Sequence, residues 1–353
     1  AVMLELLANL GGRIEDVGPV SWRIDCSSLS GREAPTDLAG QIRASFLLAG
    51  PLLARHGRAV LPRPGGDRIG RRPLDTHVHA LQALGAEVEV APDAYRLSAP
   101  QGLRGADLFL HEMSVMGTEN AVMAAALADG RTTIRNAASE PHVQELCELI
   151  NSMGGTVRGV GTNTLEVEGC RTLGSTSATI GPDPVEVGSF IGLAAVTGGE
   201  LRIVNAEPER HHRMTGLCFG RLGISWRVEG NDIVVPADQE LEIRDDVHGA
   251  IPKIDDGPWP AFPADLTSIS VVLATQARGT ILIHEKMFES RLFWVDRLIA
   301  MGARIVLCDP HRAVVVGPSR LHGQNLASPD IRAGMALVIA ALAAEGTSTI
   351  HNI

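Results

Sequence analysis

Ten glycines, alternating between two kinds of setting, constrain this chain more than any other feature. One kind closes an amphipathic stretch ending in Leu-Gly or Met-Gly, and an alternating strand, a polar turn and a second strand follow. These are Gly11, Gly85, Gly154, Gly223 and Gly302, spaced 74, 69, 69 and 79 residues apart. The other kind closes an apolar stretch and leads into a single strand. These are Gly57, Gly130, Gly199, Gly279 and Gly346, spaced 73, 69, 80 and 67 residues apart. The two series interleave without exception. A glycine at the end of a helical pattern supplies the left-handed residue that turns the chain out of the helix. The chain therefore reads as two half-units used in turn, helix-hairpin and helix-strand, in five pairs. It opens on a hairpin half and closes on a strand half at residues 347–352. An architecture of six units would lack one strand half in front and one hairpin half behind.

The 353 residues suffice for two domains with their own cores, and the half-units make the fold class α/β. A net charge of −10 argues against a general nucleic-acid binder, although a local arginine cluster can still hold a small anion. Of the 31 basic residues only Lys253 and Lys286 are lysines, which leaves few candidates for a catalytic amine. The five cysteines are scattered, odd in number and without CxxC spacing, so neither a disulfide framework nor a zinc site is expected. No leader segment and no bilayer-spanning apolar run is read, and the expectation is a cytoplasmic protein that binds no membrane. The alanine-rich stretch at 334–344 fits a buried helix.

One segment carries chemistry. Residues 62–77 run Pro-Arg-Pro-Gly-Gly-Asp-Arg-Ile-Gly-Arg-Arg-Pro-Leu-Asp-Thr-His. A Pro/Gly-rich stretch holding the lone acid Asp67 reads as a mobile loop that brings an acid over a bound anion. Arg72 can grip phosphate or carboxylate with its planar fork of donors. A plain Gly-Gly turn followed by surface charges fits the same letters.

Further stretches extend the pattern: Ile-Arg-Ala-Ser at 42–45, Ser-Val-Met-Gly-Thr-Glu-Asn at 114–120, Ala-Phe-Pro-Ala-Asp at 261–265, Met-Phe-Glu-Ser-Arg at 287–291 and Asp-Ile-Arg-Ala-Gly at 330–334. In this order, over essentially the whole chain, they resemble the UDP-N-acetylglucosamine 1-carboxyvinyltransferase family of enolpyruvyl transferases. The resemblance implies two similar domains, 1–180 and 181–353, each an inverted α/β barrel of βαβαββ repeats, with the active site in the cleft between them. The Asp67 loop and a nucleotide-binding edge would belong to the first domain. Asp265, Arg291 and Arg332 would belong to the second.

The implied reaction moves the enolpyruvyl group of phosphoenolpyruvate onto the sugar 3-hydroxyl of UDP-N-acetylglucosamine, releasing phosphate. It needs an acid, a base and cations, and no metal or organic cofactor. Asp67 stands where most of the family has a cysteine, the proton donor and the target of fosfomycin. A carboxylic acid can serve as donor if burial raises its pKa, and it is a poor nucleophile toward an epoxide. The resemblance therefore implies a working acid and fosfomycin resistance. Arg72 and Arg43 match phosphate contacts, Arg332 matches a phosphoenolpyruvate carboxylate contact, and Asp265 matches the base. The setting of Asp265 equally suits a helix N-cap. Arg291 and Asp330 match supporting positions. Pro73, Asp75 and His77 match the uracil edge, with a purely structural His77 an equal reading. Ser114 and Val115 match a loop near the nucleotide, and Met287 and Phe288 a sugar pocket.

The chain also departs from the family. A Lys-Asn pair of the first strand half and an arginine of the last hairpin half have no counterpart, and Glu112 stands where a basic residue is frequent. A truncated product or a divergent paralogue would have lost part of its cationic wall, at roughly 10²–10³-fold in rate per key donor. Two alternatives follow: a non-catalytic UDP-sugar-binding remnant, and an enzyme like 5-enolpyruvylshikimate-3-phosphate synthase.

Overall fold

The computed structural model describes residues 1–29, 33–67 and 69–353. Arg68, inside the 62–77 segment, lies outside the described residues. All five glycines of the hairpin series sit at positive φ, as do Gly57, Gly130, Gly279 and Gly346. In the remaining copy the left-handed residue is Gly198, not Gly199, and it caps the helix Pro184–Thr197. The Gly-Gly pair had left that choice open, and the helix ends at the first of the two.

The chain divides into two compact units. One comprises Ala1–Gly66 with Pro73–Thr179, the other Asp67–Arg72 with Ile180–Ile353. Each has its own apolar core. The segment Asp67–Arg72 thus groups with the second unit, not with the first as the sequence reading had it. The reason is local: the Ser290 N–H donates to the Ile69 carbonyl, and the Arg71 N–H donates to Glu289 Oε2 at 3.0 Å.

The described residues form six small sheets. The βαβαββ unit is complete twice. In the first unit an edge strand, Asp107–Phe109, pairs in parallel with Arg131–Arg135, which then pairs antiparallel with the hairpin Thr156–Arg158 and Thr164–Glu168. The second unit repeats this with Lys253–Asp255, Gly279–His284 and the hairpin Arg304–Asp309 and Arg312–Gly317. Two three-stranded sheets lack only the parallel edge strand. The remaining two are the hairpin Arg13–Gly18 with Ser21–Asp25 and the parallel pair Asn325–Ala327 with Thr349–His351.

Helices of the strand halves occupy the middle of each unit. In the second, Pro184–Thr197, Thr267–Gln276 and Ile331–Ala343 pack on one another. Every residue from Thr267 to Thr275 is buried, so this helix has no solvent face and needs no amphipathic stripe. Two of its hydroxyls bond back along the chain, Ser270 donating to the Leu266 carbonyl at 3.1 Å and Thr275 to the Val272 carbonyl at 2.6 Å. The alanine-rich stretch is likewise a core helix, with Ala333, Ala336, Leu337, Ile339 and Ala340 fully buried. Capping follows residue type. Asp183 accepts from the N–H groups of Val185 and Glu186, and Asp330 from those of Arg332 and Ala333.

Candidate active site

In the second unit one carboxylate is clamped by two arginines. Asp265 Oδ1 accepts from Arg291 Nη2 at 2.9 Å, and Oδ2 accepts from Arg332 Nε at 3.0 Å with Nη2 at 2.9 Å. Asp265 lies in the single turn Ala264–Leu266 ahead of the helix Thr267–Gln276, and its side chain caps neither. The N-cap reading is overturned, because both oxygens face guanidinium groups. Arg332 reaches across from the first turn of Ile331–Ala343, whose N-cap Asp330 fixes the start of that helix. Arg291 is 2% exposed and its guanidinium lies 4.8 Å from the Phe288 ring centroid, a cation–π distance. Met287, exposed, and Phe288, half-buried, stand on the same turn.

The segment from Asp67 to Arg72 belongs to this unit too. Asp67 and Arg72 are both half-buried. Burial lowers the Arg72 pKa, Asp67 raises it, Arg291 lowers it again and Asp265 raises it. A guanidinium stays charged under such shifts. The four residues expected to be catalytic, Asp67, Arg72, Asp265 and Arg332, therefore share one unit, together with Arg291.

Two glycines of the segment sit where other groups approach closely. A Cβ on Gly65 would lie 1.8 Å from the Gly40 carbonyl oxygen, while the Gly65 N–H donates to the Ala39 carbonyl at 3.1 Å. At Gly70, with φ +128°, a Cβ would lie 2.2 Å from Glu289 Oε2. These glycines serve close approach.

In the first unit the expected nucleotide edge is built around a buried asparagine. Asn120 spends its two Nδ2 hydrogens on the Phe46 carbonyl and on His77 Nδ1, each at 2.9 Å. Its Oδ1 accepts the Gly50 N–H at 2.8 Å. His77 is 2% exposed, and burial, with the charge of Arg43 added, pushes its pKa down to about 3. It is a neutral core histidine in this structure. Pro73 and Asp75 are exposed at the start of the helix Asp75–Ala83, and Arg43 Nη2 donates to the Pro73 carbonyl at 3.4 Å. Ser114 caps the helix Val115–Ala125, accepting from the Gly117 N–H at 3.1 Å. Glu112 accepts from Thr76 Oγ1 at 3.1 Å.

Sequence reasoning missed Asn120 as a hub, although a lone amide inside a helix of small apolar residues is a visible signal. It also missed Glu289, whose tie to residue 71 has no local trace. Both lysines turn to one carboxylate: Lys253 Nζ and Lys286 Nζ lie 3.0 and 2.9 Å from Asp255 Oδ2. No metal-binding cluster and no helix long and apolar enough to cross a membrane is found among the described residues.

Comparison with known proteins adds a second line. The family model for EPSP synthase (3-phosphoshikimate 1-carboxyvinyltransferase) matches residues 1–353. The UDP-N-acetylglucosamine 1-carboxyvinyltransferase of Treponema denticola is 57% identical over 352 residues, covering 100% of this chain and 82% of the relative. The enzyme of the same name from Bradyrhizobium diazoefficiens is 57% identical over 350 residues, covering 99% and 80%. These alignments leave next to nothing of this chain unmatched, while the chain spans 82% and 80% of the two relatives' own lengths. Among solved structures, the enolpyruvyl transferase NikO from Streptomyces tendae superposes with a TM-score of 0.84 at 22% identity, over 99% of this chain and 81% of that one. EPSP synthase from Acinetobacter baumannii gives 0.69 at 18%, over 99% and 82%. Those two likenesses establish the enolpyruvyl transferase fold.

Proposed function

Because the chain belongs to the EPSP synthase (3-phosphoshikimate 1-carboxyvinyltransferase) family, we propose that it is a transferase acting in peptidoglycan precursor synthesis, moving the enolpyruvyl group of phosphoenolpyruvate to the 3-hydroxyl of UDP-N-acetylglucosamine. The name shared by relatives that match throughout the chain supports the acceptor. The observation that carries the chemistry is Asp265 held by Arg291 and Arg332 in the unit that also holds Asp67 and Arg72.

The steps follow from those groups. Asp265, fixed by its two arginines, takes the proton of the sugar hydroxyl as the oxygen bonds to C2 of phosphoenolpyruvate. Asp67 delivers a proton to C3, giving a tetrahedral adduct. The C2–O bond to phosphate then breaks, C3 returns a proton, and the enol ether remains. Arg72 and Arg43 neutralise the phosphate, and Arg332 the carboxylate. Such preorganised donors supply the stabilisation where charge develops. On the acceptor side, Pro73 and Asp75 offer an exposed edge to the uracil, with Ser114 and Val115 beside the nucleotide and Met287 and Phe288 against the sugar. His77 supports that edge from below and makes no contact with ligand. With an aspartate where an epoxide would need a thiolate, the enzyme resists fosfomycin. Its setting is the cytoplasm, and its product serves cell-wall growth, hence cell shape and division.

The test offers phosphoenolpyruvate with either UDP-N-acetylglucosamine or shikimate 3-phosphate and identifies the product by mass. An enolpyruvyl ether of the UDP-sugar alone is expected. Transfer to shikimate 3-phosphate alone would make the chain a synthase of the sister kind. Binding of the UDP-sugar without transfer would make it a binding remnant.

A further inference from the structure

Two acids beneath Arg291 have no part in the chemistry above. Asp256 follows the strand Lys253–Asp255, and Glu285 follows Gly279–His284. These strands pair in parallel with Asp255 opposite His284, so the next residues fall side by side. Asp256 is 1% exposed and Glu285 0%. The backbone of the following turn is spent on them. Lys286 N–H donates to Asp256 Oδ1, and the N–H groups of Met287 and Phe288 both donate to Glu285 Oε1 at 3.0 Å. Asp256 Oδ2 and Glu285 Oε2 are buried without a hydrogen-bond donor, the latter 3.4 Å from Arg291 Nε as an ion pair.

The parallel register thus walls two carboxyls into one buried place, each with an oxygen that no donor reaches, and leaves them in contact with each other's charge. Ionised carboxylates only accept, so two of them cannot bond to one another. A single proton turns the contact into a bond. The charge count agrees: with that proton, Asp256, Glu285 and Asp265 carry two negative charges against the two positive charges of Arg291 and Arg332. Burial, reinforced by Asp256, holds the Glu285 carboxyl well above the usual range, against the pull of Arg291, which puts the proton on Glu285.

We propose that Asp256 and Glu285 form a carboxyl pair sharing one proton, and that the pair positions Arg291 and the 286–290 turn for enolpyruvyl transfer. The second half of this rests on the function proposed above. The same turn carries Met287 and Phe288 and, through Glu289 and Ser290, holds the segment of Asp67. The pair thus acts on the proposed base through Arg291 and on the proposed acid through the turn.

Glu285→Gln and Glu285→Leu separate this from a merely structural role. Glutamine keeps the shape, accepts from Met287 and Phe288, and donates to Asp256 where the acid did; leucine does none of these. Glu285→Gln is expected to keep kcat within about 3-fold, and Glu285→Leu to lose on the order of 10- to 100-fold in kcat with a smaller change in KM, the scale of a displaced reacting group. Equal losses in the two variants, or none in the leucine variant, would overturn the positioning role. Infrared difference spectroscopy of the wild type at neutral pH decides the proton even if the leucine variant does not fold. A protonated-carboxyl stretch missing from Glu285→Gln is expected, and its absence from the wild type would overturn the shared proton. A wild type that has this band but transfers no enolpyruvyl group would sink the proposed function and leave the proton-sharing pair intact.

Discussion

Replacing Asn120 with alanine should unfold the first unit selectively. The side chain makes three buried hydrogen bonds, to the Phe46 carbonyl, His77 Nδ1 and the Gly50 N–H. All three partners are left in the core without a replacement, since Asn120 and His77 are essentially inaccessible to water. Each stranded group costs about 1–3 kcal/mol, so the loss is at least about 3 kcal/mol, a large fraction of the roughly 5–15 kcal/mol that holds a domain together. For a unit of this size that corresponds to a fall of about 6–12 °C in melting temperature. Calorimetry should show the transition of the first unit moving down while that of the second stays in place. A shift below about 1 kcal/mol would refute the reasoning, because it would mean that these hydrogen bonds contribute no more than exposed ones do. Asn120→Asp should be nearly as damaging, since a carboxylate cannot donate to either Phe46 or His77.

Three other outcomes follow from the same geometry. Arg332→Met should lower kcat/KM by roughly 10²–10³-fold, and Arg332→Lys should recover little of it, because a point charge cannot reproduce the fork on Asp265; steady-state kinetics checks both. His77 titrates at about 3 in the folded protein against an ordinary 6.5, so its contribution to stability is fully present above 6.5 and is lost as pH falls from there toward 3. Urea titrations of wild type and His77→Gln over that window should show the first unit of the wild type losing stability more steeply. Gly65→Ala should destabilise the first unit by about 1–3 kcal/mol, measured by its melting transition, since the new methyl meets the Gly40 carbonyl with no room to yield.

How far the sequence could be read depended on whether a residue's role was local. The glycine series marked the helix ends because a left-handed cap is a property of a few neighbouring residues. The single slip, Gly199 for Gly198, occurred where two glycines stood together. Asp330 and Asp265 are both acids just ahead of core helices, yet one is a cap and the other is clamped by arginines 26 and 67 residues away. Nothing within a few residues distinguishes them. The same holds for Asp256 and Glu285, which stand in Asp-Asp-Gly and His-Glu-Lys settings that look solvated. Only the parallel pairing of their strands buries them together. In the segment of Asp67 the sequence could not say which glycines serve movement and which serve close approach. In the structure its neighbours Gly65 and Gly70 mark the places where backbone comes too close for a side chain.

The most direct test of the central claim is phosphate release from phosphoenolpyruvate in the presence of UDP-N-acetylglucosamine, with and without excess fosfomycin. Release that requires the UDP-sugar, continues unchanged under fosfomycin and disappears in Asp67→Asn is the predicted result. A folded protein that binds the UDP-sugar but releases no phosphate, or one that fosfomycin stops, would contradict the account of Asp67 as the acid of an enolpyruvyl transferase.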